Sequence, residues 1–166
     1  MPIVDIHALP DLLPSRGRVL GLDLGDKTLG MAVSDRDRRV ASPVDTLRRT
    51  KFTKDAQALA AVRDDRDITA LILGLPVNMK GEEGRRCQAT RQFARNLIDK
   101  AGYTLPIAFW DERLSTAAVE RVLIDEADMR RRERGRVVDQ MAAAYILQGA
   151  LDALARERPF GGGTEI

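Results

Sequence analysis

Two apolar runs joined by four turn-forming residues constrain this chain most. In RVLGLDLGDKTLGMAVS, Val19 to Leu24 and Leu29 to Ser34 are separated only by Gly25-Asp26-Lys27-Thr28, a spacing that predicts an antiparallel hairpin. Inside the first run stands an acid, Asp23, between Leu22 and Leu24. Alternation along a strand puts Asp23 and Gly21 on the face opposite those leucines. A carboxylate held against a core is costly unless donors or a cation compensate it.

The rest of the chain extends this start. Val40 to Leu47, rich in β-branched residues and with Pro43 tolerable at an edge, predicts a third strand. The period then changes: Thr53 is expected to cap a helix running to about Asp65. Ala70 to Leu75, a continuous apolar run stopped by Pro76, predicts a central strand covered on both faces. A helix over Gly84 to Lys100, ended by Gly102, leads to a fifth strand at Ile107 to Trp110. Ser115 or Thr116 is expected to cap a helix over Ala117 to Glu126, and Val137 to Ala155 carries the longest helical pattern. The fold class is therefore α/β, a five-stranded mixed sheet. A three-strand antiparallel meander is joined by two parallel strands, with helices on both faces.

Residues 1–17 hold three prolines and read as a flexible, extended arm; 18–156 form one domain; 157–166, with Gly161-Gly162-Gly163, read as a disordered tail. At 166 residues the chain is long enough for one core, and with 44% hydrophobic and 31% charged residues its composition is that of a globular protein. No run approaches the roughly 20 apolar residues of a membrane span. The start of the chain has no secretory-signal pattern and Cys87 is the single cysteine, so a cytoplasmic setting is expected.

Asp23, the Asp111-Glu112 pair just past the fifth strand, and Asp139 near the start of the last helix sit where element ends converge. Asp139 shares a helical stripe with Ala142, Ala143 and Ile146. Carboxylates gathered against a core repel one another, and a metal ion relieves both the repulsion and the burial. Oxygen donors without His or Cys suit Mg²⁺ or Mn²⁺, which can position a water against a phosphodiester. Each acid also has an ordinary structural explanation. Asp139 suits a helix N-terminus, Glu112 can pair with Arg113 or Arg121, and Asp23 can bind the turn's donors at Lys27 and Thr28.

Beyond the acids, the loop LGLPVNMKG ends a central strand where ligands of open α/β sheets bind, and Asn78 is its best functional candidate. Net charge is only +2, yet Arg130, Arg131, Arg132, Arg134 and Arg136 crowd into seven residues. Arginine favours bidentate phosphate contacts, so a basic loop beside the acids suggests a polyanion. With Lys27 and Arg113 these residues make up the candidate nucleic-acid contacts. Aromatics are scarce, which favours backbone or shape recognition over base stacking. His7 gains no role, and Cys87, lacking a positioned base, is a bystander.

GLDLGDKTLGMAVSD (21–35), LGLPVNMKGEEG (73–84), WDERLSTAAVE (110–120) and VVDQMAAAYILQGALD (137–152), in this order, resemble the YqgF-type, or RuvX, family of bacterial proteins. That family is known for Holliday junction resolvases and pre-16S rRNA nucleases. The resemblance spans Arg18 to Asp152. It implies a ribonuclease H-like fold, a divalent ion, a nucleic-acid substrate and a cytoplasmic setting, and it places the family's acidic set on Asp23, Glu112 and Asp139. Thr28, Leu29 and Lys80 depart from the family's usual residues; Lys80 stands where aspartate is common, which weakens a metal role for that loop.

The leading expectation is a metal-dependent nuclease acting on the 5′ end of precursor 16S rRNA, with branched DNA as the nearest alternative substrate. An ATPase of the actin and sugar-kinase type has a similar first hairpin but closes two such domains around its nucleotide. A non-catalytic nucleic-acid or ribosome-assembly module would use the arginines alone. Symmetric cutting of two strands needs a homodimer, whereas RNA trimming allows a monomer.

Overall fold

The alternation of Val19 to Leu24 sorts this segment's side chains onto two faces, and the whole sheet repeats that sorting. The structure, a computed structural model, describes residues 3–78, 80–114 and 131–157, and of 131–140 the backbone alone. Strands β1 (Arg18–Leu24) and β2 (Thr28–Ser34) form the expected hairpin, with Asp23 opposite Gly30 and the Gly25 N–H donating to Thr28 O at 2.8 Å. The expected third strand is split into β3 (Ala41–Pro43) and β4 (Leu47–Arg48), both antiparallel to β2. Pro43 has no N–H to continue a ladder, and the chain leaves the sheet just after it. β5 (Ile68–Leu75) lies parallel between β1 and β6 (Ile107–Asp111), giving the order β3-β2-β1-β5-β6 with β4 also on β2. The mixed sheet is thus as expected, with six strands among the described residues in place of five.

Large side chains populate one face. Leu20, Leu22, Leu29, Leu71, Leu73 and Ile107 are buried there against helices α2 (Phe52–Arg66) and α3 (Arg85–Asp99) through Leu59, Phe93 and Leu97. Thr53 does not cap α2: the cap position is Lys51, without a side-chain bond, and Asp55 in the first turn accepts from the Thr50 N–H (3.1 Å) and hydroxyl (3.4 Å). Tertiary burial of Asp55 decided that end, which a local cap pattern does not reveal.

The opposite face is built of small residues. Gly21, Ala32, Ala70, Gly74 and Ala108 let the last helix, α4 (Arg131–Glu157), lie close on the sheet through Ala143, Ile146, Leu147 and Ala150. A Cβ on Gly21 would stand 2.8 Å from Leu147 Cβ, so only glycine accommodates this approach. Gln148 fastens α4 to the sheet edge: its Oε1 accepts the Ala41 N–H and its Nε2 donates to Arg39 O, both at 2.8 Å.

The N-terminal segment, read as an extended arm, is packed onto this second core. The Val4 N–H donates to Ile107 O at 2.9 Å, and Ile6 and Leu9, on a short helical stretch Ile6–Leu12 that contains α1 (Leu9–Leu12), are buried beside Val19 and Ile72. Two apolar side chains inside a proline-rich stretch suffice to seat it. Among the described residues no helix is long and apolar enough to cross a membrane. The helix expected over 117–126, its caps Ser115 and Thr116, and residues 158–166 of the expected tail lie outside the described residues.

Candidate active site

Two of the expected acids lie at the same carboxyl edge of the parallel strands, on either side of Gly74. Asp23, next to last in β1, lies on the α4 face and is only 8% exposed. Both neighbouring strands offer it glycine: Gly30 is its partner on β2, and Gly74 follows Leu73, the partner of Leu22, on β5. The neighbouring strands therefore place no side chain of their own beside the carboxylate.

Glu112 opens the single 3₁₀ turn Glu112–Leu114 that follows β6. Its side chain folds back over Gly74, where an added Cβ would be 3.0 Å from Glu112 Oε1 and 2.8 Å from Ile146 Cδ1. Gly74 is thus the floor shared by Glu112, α4 and the strand beside Asp23. Asp139 lies within α4, on the same helical stripe as Ala143 and Ile146; its side chain falls outside the description. Since α4 begins at Arg131, Asp139 lies beyond the first turn, where a favourable charge at the helix N-terminus does not account for it. Among the described residues no group of three His, Cys, Asp or Glu side chains is placed to hold an ion.

Asp111 is occupied otherwise. Its carboxylate takes a bidentate bond from Arg113, NH2 to Oδ2 at 2.6 Å and Nε to Oδ1 at 3.1 Å, and its Oδ1 also accepts the Arg113 N–H at 2.9 Å. The guanidinium holds the Asp111 carboxyl below its usual range, and the same bond raises Arg113. So Arg113 pairs with Asp111 and not, as one explanation of Glu112 had it, with Glu112. Its other terminal nitrogen faces the β5–α3 loop, 3.6 Å from where a Gly81 Cβ would stand.

In that loop Asn78 is a structural keystone. Its Oδ1 accepts the N–H groups of Lys80 and Glu82, each at 2.9 Å, and its carbonyl accepts that of Gly81, whose φ of +83° suits glycine. What Asn78 can offer a ligand is its amide nitrogen. Lys27 is exposed in the hairpin turn beside the acids. Gly25 lies against Thr28 in that turn, and the glycines beside Asp23 across the ladders are Gly30 and Gly74. Strand-interior glycines at these positions were the available sequence signal, because they mark close approach.

The arginine cluster is not the loop expected. Arg131, Arg132, Arg134 and Arg136 belong to the first turns of α4, the helix continuing through Gly135; Arg130, like Arg121, lies outside the described residues. Cys87 is fully buried in α3, and burial pushes its thiol up, which fits a bystander.

Comparison with known proteins agrees with this architecture. The family model RuvX, described as Holliday junction resolvase, matches residues 17–153. A protein of Rhodospirillum centenum named "Putative pre-16S rRNA nuclease" is 56% identical over 168 residues, covering 99% of this chain and 89% of its own length. One of the same name from Rhodospirillum rubrum is 58% identical, covering 96% and 98%. Among solved structures, T. thermophilus RuvC in complex with a Holliday junction substrate superposes with a TM-score of 0.51 at 14% identity, over 86% of this chain and 97% of that one. The yeast mitochondrial Holliday junction resolvase gives 0.50 at 12%, over 92% and 87%. At such identities these structures speak to the fold alone, the ribonuclease H-like one. The extent of the family match and the identity of the relatives make this chain a member of the RuvX family.

Proposed function

We propose that the chain is a metal-dependent nuclease that hydrolyses phosphodiester bonds in structured RNA and trims the 5′ end of precursor 16S rRNA. The observation that carries this reading is Asp23, a buried carboxylate flanked across the ladders by Gly30 and Gly74, with Glu112 folded over that same Gly74. The names of the relatives at 56 and 58% identity supply the substrate. On this reading the protein works in the cytoplasm.

The donors fit Mg²⁺ or Mn²⁺. Asp23 and Glu112 offer oxygen only, and the missing side chain at Gly74 is what lets the Glu112 carboxylate come down beside the strand next to Asp23. Asp23, Glu112 and, as the third acid, Asp139 would hold the ion. When bound, it supplies positive charge that eases deprotonation of an attacking water and departure of the leaving oxygen. The protein's own part is placement. The strand backbone holds Asp23, Gly74 lets Glu112 lie flat, Lys27 stands where a phosphate would enter, and the arginines of α4 meet the backbone farther out.

A second reading, cleavage of branched DNA, is favoured by the description of the family itself. Incubation of the purified protein with Mg²⁺ or Mn²⁺ on precursor rRNA and on a four-way DNA junction, beside Asp23→Asn, separates the two. Trimming of the RNA at its 5′ end by the wild type alone is the expected result. Junction cleavage without RNA cleavage moves the assignment to DNA, and equal cleavage by Asp23→Asn sinks the site.

A further inference from the structure

Several surface arginines are matched by acids: Arg36 to Asp67 at 3.0 Å, Arg63 to Asp64 at 2.9 Å and Arg91 to Glu83 at 2.7 Å. Lys27, Arg48 and Lys51 are exposed and, among the described residues, have no carboxylate at ion-pair distance. Asp55, the acid on the adjoining helix turn, is buried and committed to Thr50.

These three cations share one frame. Arg48 pairs with Thr28 in the β2–β4 ladder, beside Lys27 in the turn. Arg49 locks the frame: its N–H donates to Lys27 O at 2.8 Å, its NH1 to Gly25 O at 2.6 Å, and its guanidinium lies 5.9 Å from the Phe93 ring centre on α3. Lys51 follows at the cap position of α2. Arg48, opposite Thr28, points away from the face that buries Leu29 and Leu47, whereas Lys51 leads into α2, so the strip begins four residues past Asp23 and follows the β4 edge of the hairpin. The nearby aromatics, Phe52 and Phe93, are packed edge to face at 5.6 Å and present no platform for unstacked bases.

We propose that Lys27, Arg48 and Lys51 form a second contact strip, which binds the phosphodiester backbone of double-stranded RNA along the β4 edge of the hairpin, beside the acids. The strip rests on the nuclease reading, since it gives the substrate a hold beside the cut in addition to that of the α4 arginines. Cations unpaired in the free protein bind phosphate by displacing the counterions of the nucleic acid, so the contact must appear in the salt dependence.

The test is fluorescence anisotropy of a labelled RNA duplex titrated with full-length protein in EDTA, over a series of salt concentrations. For Arg48→Ala with Lys51→Ala we expect affinity roughly 10-fold weaker near 0.1 M salt and a log–log salt slope shallower by about 2. Lys100→Ala with Arg156→Ala, exposed cations away from the strip, should bind as the wild type does. An unchanged slope in the strip variant, or an equal loss in the control, overturns the strip. Wild-type protein that binds the duplex but cleaves no precursor sinks the nuclease reading and leaves the strip standing.

Discussion

Glu112 lies across the backbone of Gly74, so close that a methyl there would meet its Oε1 at 3.0 Å and Ile146 Cδ1 at 2.8 Å. Gly74→Ala must therefore push either the acid or the helix away. Displacements near 1 Å at a reacting centre cost about 100-fold in rate, and overpacking costs about 1–3 kcal/mol. We expect single-turnover cleavage to fall by about that factor while a urea melt still shows a cooperative fold.

Mn²⁺ should raise the melting temperature of the wild type, and Asp23→Asn should abolish that rise and weaken Mn²⁺ binding by about 100-fold or more. Calorimetric titration measures both proteins without needing a substrate. Binding equal to wild type would remove Asp23 from the ligand set.

Asp111 and Glu112 are adjacent in sequence but differ in task, so their variants should differ too. Asp111→Asn loses the bidentate hold on Arg113. It should leave Mn²⁺ affinity at the wild-type value and raise KM, whereas Glu112→Gln should lose Mn²⁺ affinity and kcat. The split between KM and kcat in steady-state cleavage is the readout.

Gln148→Leu removes the two bonds that tie α4 to Arg39 and Ala41 and leaves the half-buried Ala41 N–H without its acceptor. A loss of about 1–3 kcal/mol is expected in urea unfolding.

His7 pairs with Glu157 at the far end of α4, and the bond from that carboxylate is the main cause that raises the imidazole's pKa. A raised folded value means stability that is complete below the unfolded pKa, about 6.5, and is lost as pH rises through the folded one. The wild type should therefore exceed Glu157→Gln in stability at pH 6 by less than about 1 kcal/mol, both groups being exposed, and the gap should close at higher pH. Denaturant melts of the two proteins across this range give the answer.

The hairpin, the central strand and the long helix were legible because their apolar periods are unbroken, and the acids because charge inside such periods stands out. What escaped reading depends on register or tertiary context. Gly30 and Gly74 become neighbours of Asp23 only once the ladders are aligned. Pro43 looked tolerable in one edge strand but divides it. Gly135 and the arginines around it looked like a connection, yet α4 runs through them. Asp111, which looked equivalent to Glu112, is claimed by the arginine two residues on.

α4 is longer than the sheet it rests on. From Leu147, seated over Gly21, the helix runs back to Arg131 for about 24 Å, while β1 continues past Gly21 to Leu24 for about 10 Å. Measured from Gly21, the helix backbone is therefore longer than the strand by roughly 14 Å, and Arg131 to Arg136 belong to that excess. In the proposed nuclease, gripping and cutting would be offset along the helix, the arginines holding a different stretch of substrate from the one presented to Asp23.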